Sequence, residues 1–217
     1  MNPAAAFPQR YTTVDVVIFA VTDGLLCILL SRHPLIPSAP SPTMLCLPGG
    51  YIDIGRDATF DDCALSTLRE KPGFAAPYPE PLSSRDSAGR NPHSWMATHV
   101  YFALVPPPDA ACAQPLSLGH NNILRTALAY LRSKVEYTLR LAFLLAAPFT
   151  LPQLQRVYAP LLGRTLDKSA FRKRTWDASP LVEDGMTSGG FDRNAMNYHL
   201  AQRDSTIHFS RPFRSEE

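Results

Sequence analysis

Three observations predict an α+β fold. Val14 to Val21 and Leu25 to Leu30 are β-rich runs on either side of Thr22-Asp23-Gly24. Apolar residues at helical spacing run from Ile123 to Val135 and again from Leu151 to Leu162. Two further β-like stretches, Leu181 to Gly185 and Met196 to Leu200, come after a strongly basic segment.

At 217 residues the chain is long for one compact domain and comfortable for one plus a small companion. A hydrophobic fraction of 45% with 18% charged residues describes a folded, water-soluble chain. The net charge of +2 carries no nucleic-acid argument, so only local clustering of charge can. Cys27, Cys46, Cys63 and Cys112 lack zinc spacing and sit among apolar residues, so they read as reduced packing residues of a cytoplasmic protein. No secretory signal is expected at the start, and Leu141 to Ala147 is too short an apolar run to cross a bilayer.

The elements follow in order. Asp23-Gly24 supplies the positive φ of a tight turn, so the first two runs form a hairpin. Arg32, after the second strand, either reaches a ligand phosphate or base or is an exposed strand-end arginine. Pro34 to Pro42, rich in Pro and Ser, predicts a loop that cannot join a sheet. Met44 to Leu47 resumes as a short strand into Gly49-Gly50, where missing side chains let backbone N–H groups approach an anion or simply let the chain turn.

Next comes LPGGYIDIGRDATFDDCALSTLREKPGF, residues 47–74. Phe60, Ala64 and Leu68 stand four residues apart with Leu65 beside them, which predicts an amphipathic helix stopped at Pro72-Gly73. This segment resembles the Nudix box, a glycine-led loop and helix that grips a nucleoside diphosphate and its metal ions. Counting back from Gly73 aligns Leu68 and Glu70 with the box and leaves two extra residues after Gly50. Ala58, Ser66, Thr67 and Lys71 then stand at the remaining Glu, Arg, Glu and Glu positions. Mg²⁺ needs several oxygen ligands, and two-metal chemistry needs carboxylates along one helix face. Asp62, Ser66 and Glu70 share a face, so Glu70 could anchor a weak site. Lys71 either neutralises a diphosphate in place of a metal or complements the negative helix end.

Pro77 to Pro92 reads as a polar loop, and Ala97 to Val105 as a buried strand with His99 and Tyr101 on one face. This stretch resembles the segment lining the ligand site of ADP-ribose-type Nudix proteins, which makes His99 and Tyr101 candidates for contacting ribose or base. The resemblance also implies a further strand between Pro106 and Leu118, where only a Pro- and Ala-rich connector stands.

Ile123, Leu124, Ala127, Leu128, Leu131 and Val135, after the cap-like Asn121-Asn122, predict a long linking helix. Thr150 opens another, with Leu151, Leu154, Val157, Tyr158, Leu161 and Leu162 on one side and Pro160 kinking or shortening its end. After Gly163, RTLDKSAFRKRTW carries Arg164, Lys168, Arg172, Lys173 and Arg174 against one acid, Asp167. A basic helix alone is either a solvated face or a DNA reader; the order helix, glycine turn, basic helix and hairpin is that of a winged helix-turn-helix, whose second helix suits a major groove. Arg164, Lys168, Ser169, Arg172 and Lys173 are the DNA-contact candidates.

The C-terminal segment LPQLQRVYAPLLGRTLDKSAFRKR resembles the winged-helix domain fused behind a Nudix domain in bacterial transcriptional regulators of NAD metabolism. That resemblance implies a Nudix-like mixed sheet with flanking helices over residues 1–118, a linker helix region over 119–147 and a DNA-binding winged helix over 148–217. It also implies a homodimer that senses ADP-ribose or a related nucleotide and binds double-stranded DNA, with no cofactor. The wing tip, Ser188 to Asn194, departs from the family's basic Gly-Pro pattern. The ligand candidates are Arg32, Gly49, Gly50, Glu70, Lys71, His99 and Tyr101. The alternative is a hydrolase that uses Mg²⁺ and Glu70, and a chain with neither activity is the third reading.

Overall fold

The computed structural model describes residues 11–22, 25–34, 43–70, 79–87, 96–106, 120–178, 181–186, 195–201 and 207–209. Strands β1 (Tyr11–Thr22) and β2 (Leu25–Leu29) form the predicted hairpin, with Ile18 opposite Leu29 and Thr22 opposite Leu25. Strands β3 (Ser31–Pro34) and β4 (Thr43–Cys46) pair as a separate antiparallel ribbon. Pro34 is therefore strand rather than loop: it stands opposite Thr43 at the ribbon's end, a position that tolerates the missing N–H.

The glycine pair is also strand. Here β5 (Gly49–Tyr51) lies antiparallel on β1, with Gly49 opposite Asp15. The box helix is α1 (Phe60–Arg69), opened by a capping box between Thr59 and Asp62 and ended at Glu70, short of the predicted stop at Pro72-Gly73. The expected polar loop contains β6 (Glu80–Ser87), antiparallel to β7 (Met96–Leu104). This strand escaped the sequence reading because it is a polar edge strand. Pro81 is accommodated there, with a register shift between Pro81 and Ser83. The further strand expected between Pro106 and Leu118 falls almost wholly outside the described residues.

The main sheet runs β2-β1-β7-β6, with β5 also on β1 and β1 parallel to β7. Alternation along β1 sorts its side chains to two faces. Val14, Val16, Ile18 and Ala20 pack with Tyr101 and Ala103 against Cys63, Ala64 and Leu68 of α1. Val17 and Phe19, with Val100, Phe102 and Leu104, face the other way, toward α2 (His120–Val135). Helix α2 buries Ile123, Ala127, Leu131 and Val135 at four-residue steps. It is already helical at His120, so Asn121 and Asn122 lie in its first turn rather than capping it.

A short 3-10 turn, Arg140–Leu144, leads into β8 (Phe149–Thr150) and α3 (Leu151–Leu162). Thr150 caps α3 reciprocally with Gln153, the helix continues past Pro160, and Gly163 ends it at φ 66. Helix α4 (Lys168–Asp177) is capped by Asp167, which accepts from the Ala170 N–H at 2.8 Å. Arg164 thus sits in the turn, not in the basic helix. Strands β9 (Leu181–Met186) and β10 (Met196–Leu200) complete the sheet β8-β10-β9, and the wing tip lies outside the described residues.

On the α2 side of the main sheet one apolar core reaches into the winged half. It continues from Phe102 through Leu131, Leu141 and Leu144 to Leu154, Tyr158, Phe171 and Tyr198. At its centre the buried Tyr158 hydroxyl donates to the Thr138 carbonyl at 2.7 Å and takes a backbone hydrogen bond from Leu141. Burial holds that phenol well above its ordinary pKa. Phe209 packs near the Tyr158 ring, and its N–H donates to the Tyr137 carbonyl at 2.8 Å.

Candidate functional site

The box folds around an arginine that bridges two carboxylates. Arg56 grips Asp57 in bidentate fashion, Nε to Oδ1 at 3.0 Å and Nη2 to Oδ2 at 3.1 Å, and sends Nη1 to Glu70 Oε1 at 2.9 Å. The buried Asp57 also accepts from Ser66 Oγ at 3.2 Å and from the Asp53 N–H at 3.3 Å. The Arg56 hydrogen bonds hold the Asp57 carboxyl down at about 2, while Asp57 first and Glu70 second raise the guanidinium. Beside this cluster, burial lifts the Cys63 thiol to about 11.

The shared face of α1 does not turn its polar groups toward a common ion. Asp62 turns back to Thr59, while Ser66 and Glu70 both join the Arg56–Asp57 pair. No group of three His, Cys, Asp or Glu side chains gathers at metal-binding distance among the described residues. Lys71 lies outside the described residues.

The two glycines have different surroundings. A Cβ on Gly49 would stand 2.1 Å from the Val14 carbonyl oxygen and 3.0 Å from Asp15 Cα, whereas one on Gly50 would meet nothing within 4 Å. Gly49 is glycine because β5 presses on β1, and only Gly50 has open space. Beneath the pair, Thr98 Oγ1 donates to Asp15 Oδ2 at 2.9 Å, and the Leu47 N–H donates to His120 Nδ1 at 3.0 Å. Since Nδ1 accepts, the neutral ring carries its proton on Nε2, which stands 4.0 Å from Asp15 Oδ1. The approach to the glycines and the first residue of α2 thus share one buried polar cluster.

His99 stacks on Phe60 with ring centroids 3.7 Å apart, and its Nδ1 is 3.0 Å from Ser84 Oγ. Tyr101 is buried under α1 and donates its hydroxyl to Asp61 Oδ1 at 2.5 Å. His99 and Tyr101 therefore meet the start of α1, and Glu70 its end. Arg32 is exposed on β3, opposite Leu45 of β4.

In the winged half, α4 buries Phe171 and Thr175 and turns Ser169, Arg172, Lys173 and Trp176 outward. These four residues, with Asp177, line an open hollow of about 380 Å³. Lys168 and Arg172 also line a cleft of about 400 Å³ floored by Phe171 and Tyr198. The structure gathers Lys168, Ser169, Arg172 and Lys173 on one helix, with Arg164 on the preceding turn.

The sequence reading missed the Arg56–Asp57 hub and the cluster around Asp15. The second had a visible signal: an acid inside an apolar strand needs a buried partner.

A model of the NrtR DNA-binding winged helix domain matches residues 141–200. The ADPR responsive transcriptional repressor NtrR of Acinetobacter baylyi is 32% identical over 222 residues, covering 94% of this chain and 88% of that protein. The crystal structure of Shewanella oneidensis NrtR matches with a TM-score of 0.81 at 29% identity, over 94% of this chain and 100% of that one. The same protein solved with a 27mer DNA matches at 0.80 and 29%, over 94% and 99%. A MutT/nudix family protein of Enterococcus faecalis, at 20% identity and a TM-score of 0.71 over 89% of each chain, shares the fold.

Proposed function

The chain belongs to the NrtR family of transcriptional regulators, and from that premise we propose that it is a DNA-binding repressor whose Nudix-fold half senses ADP-ribose. The observation that carries the reading is the outward stripe of α4, where Ser169, Arg172 and Lys173 stand together behind a glycine turn. A helix so mounted can enter a major groove, and its cations can replace condensed counterions on phosphates. Lys168 and Arg164 extend the positive face toward the helix start. Two copies acting as a homodimer present two such helices to one duplex, in the cytoplasm at the nucleoid.

In the sensing half we assign ligand contact to Arg32, Gly50 and His99, with Gly49 and Tyr101 holding β5 and α1 in place around them. Glu70 engages Arg56 rather than a second carboxylate, which supports capture of the nucleotide without turnover. Residues 1–118 sense, 148–217 bind DNA, and 119–147 join them. Ligand changes DNA affinity to the extent that it favours one of two arrangements of these halves. The shared apolar core supplies the connection.

The test uses fluorescence anisotropy on a 27-base-pair duplex, the DNA length of the Shewanella oneidensis complex, selected from a random library on the full-length protein. Lys168→Glu with Arg172→Glu is expected to abolish binding. ADP-ribose in EDTA is expected to shift the wild-type affinity. Failure to select any duplex, or an affinity that ADP-ribose does not move, overturns the proposal. Magnesium-dependent release of AMP would favour the hydrolase instead.

A further inference from the structure

Trp176 has no role in the core. It is 53% exposed, while the buried side of α4 is formed by Phe171 and Thr175. Among the described residues of α3, α4 and β10 it is the one large apolar side chain left exposed. Single exposed apolar residues are common and need no explanation. Two observations separate this one from that background.

The first is its company. Ser169, Arg172, Lys173 and Trp176 recur at the three- and four-residue steps that align side chains on one helix face. The indole and the two cations line the same open hollow of about 380 Å³. The second is its support. The buried Tyr198 of β10 meets the indole edge-on, at a centroid distance of 6.2 Å and 86° between planes. An aromatic side chain held by a neighbouring strand loses little rotamer freedom on binding, which is what an interface anchor requires.

Resting on the reading of α4 as the DNA-contact helix, we propose that Trp176 is an apolar anchor of that interface, seated against the sugar–phosphate edge of the duplex. Base faces are stacked inside a duplex, so the indole meets deoxyribose C–H groups, and its Nε1–H can donate to a phosphate oxygen. Arg172 and Lys173 hold the flanking phosphates. Asp177, one helical turn after Lys173 and lining the same hollow, repels phosphate and so bounds the anion-binding part of the surface.

This role has a signature that a basic residue lacks. Removing a phosphate-binding cation lowers the salt slope of binding by about one, because fewer counterions are released. Removing an apolar anchor weakens binding and leaves that slope unchanged. On the selected 27-base-pair duplex, Trp176→Ala is expected to bind about tenfold more weakly, the scale of a truncated interface anchor, with the wild-type slope. Trp176→Phe should fall between, and Arg172→Ala should reduce the slope.

The chain has two tryptophans, so a Trp95→Phe background leaves Trp176 as the sole indole reporter. Its emission is expected to change on adding duplex and to recover at high salt, which keeps the test open if the alanine variant misfolds. Wild-type affinity in Trp176→Phe together with an unmoved indole emission overturns the proposal. If the wild-type chain binds no duplex, the DNA-binding reading falls first and this inference with it.

Discussion

Replacing Tyr158 with phenylalanine removes one oxygen from the most heavily shared point in the fold. The ring stays, so its edge-to-face contact with Phe171, at 5.3 Å, is preserved. What goes is the hydrogen bond to the Thr138 carbonyl and the one from Leu141, and both groups then lie in a dry interior. Each orphaned buried polar group costs about 1–3 kcal/mol, and the better burial of phenylalanine returns part of it, so a net loss of about 3 kcal/mol is expected. For a chain of this size that lowers Tm by roughly 6–12 °C. The assay is differential scanning calorimetry with a parallel urea titration, in which the midpoint should fall and the slope m should not. Thr138→Ala is the control, since it keeps the backbone carbonyl that Tyr158 uses. A Tyr158→Phe variant melting within a degree of wild type would refute the assignment of this hydroxyl as the tie between α3 and the turn after α2.

Two further outcomes are expected. Gly49→Ala should destabilise the protein by about 1–3 kcal/mol, because its Cβ collides with backbone, whereas Gly50→Ala should melt like wild type; equal losses at both would contradict the strand contact described for β5. Asp57 contributes through its carboxylate form, so its stabilisation is complete above the unfolded value near ~4 and is lost as pH falls through about 2. Asp57→Asn should therefore remove part of the acid dependence of Tm in that window, and an unchanged acid profile would contradict the Arg56 pairing.

Strong periodicity made most elements legible. The hairpin about Asp23-Gly24, the apolar faces of α2 and α3 and the basic α4 all carry patterns that local physics imposes. Strand β6 did not, because an edge strand of polar residues with Pro81 has neither alternation nor β-branched side chains to announce it. Gly49 was read as open to an anion or as a turn residue, and its contact partner, Val14, lies thirty-five residues away and leaves no local trace. The fate of Glu70 was hidden for the same reason: nothing in a box alignment says that Arg56 reaches across the loop to take it. At 100° per residue Trp176 shares a stripe with Lys168 and Arg172, but its exposure depends on which side of α4 the body of the protein covers.

The apolar seam from Phe102 to Phe171 has a mechanical corollary. Tightly filled interiors resist shear, so α2 and the winged half turn together as a crank, not as beads on a string. In the homodimer proposed above, that packing would let a ligand at one end reset the spacing of the two α4 helices.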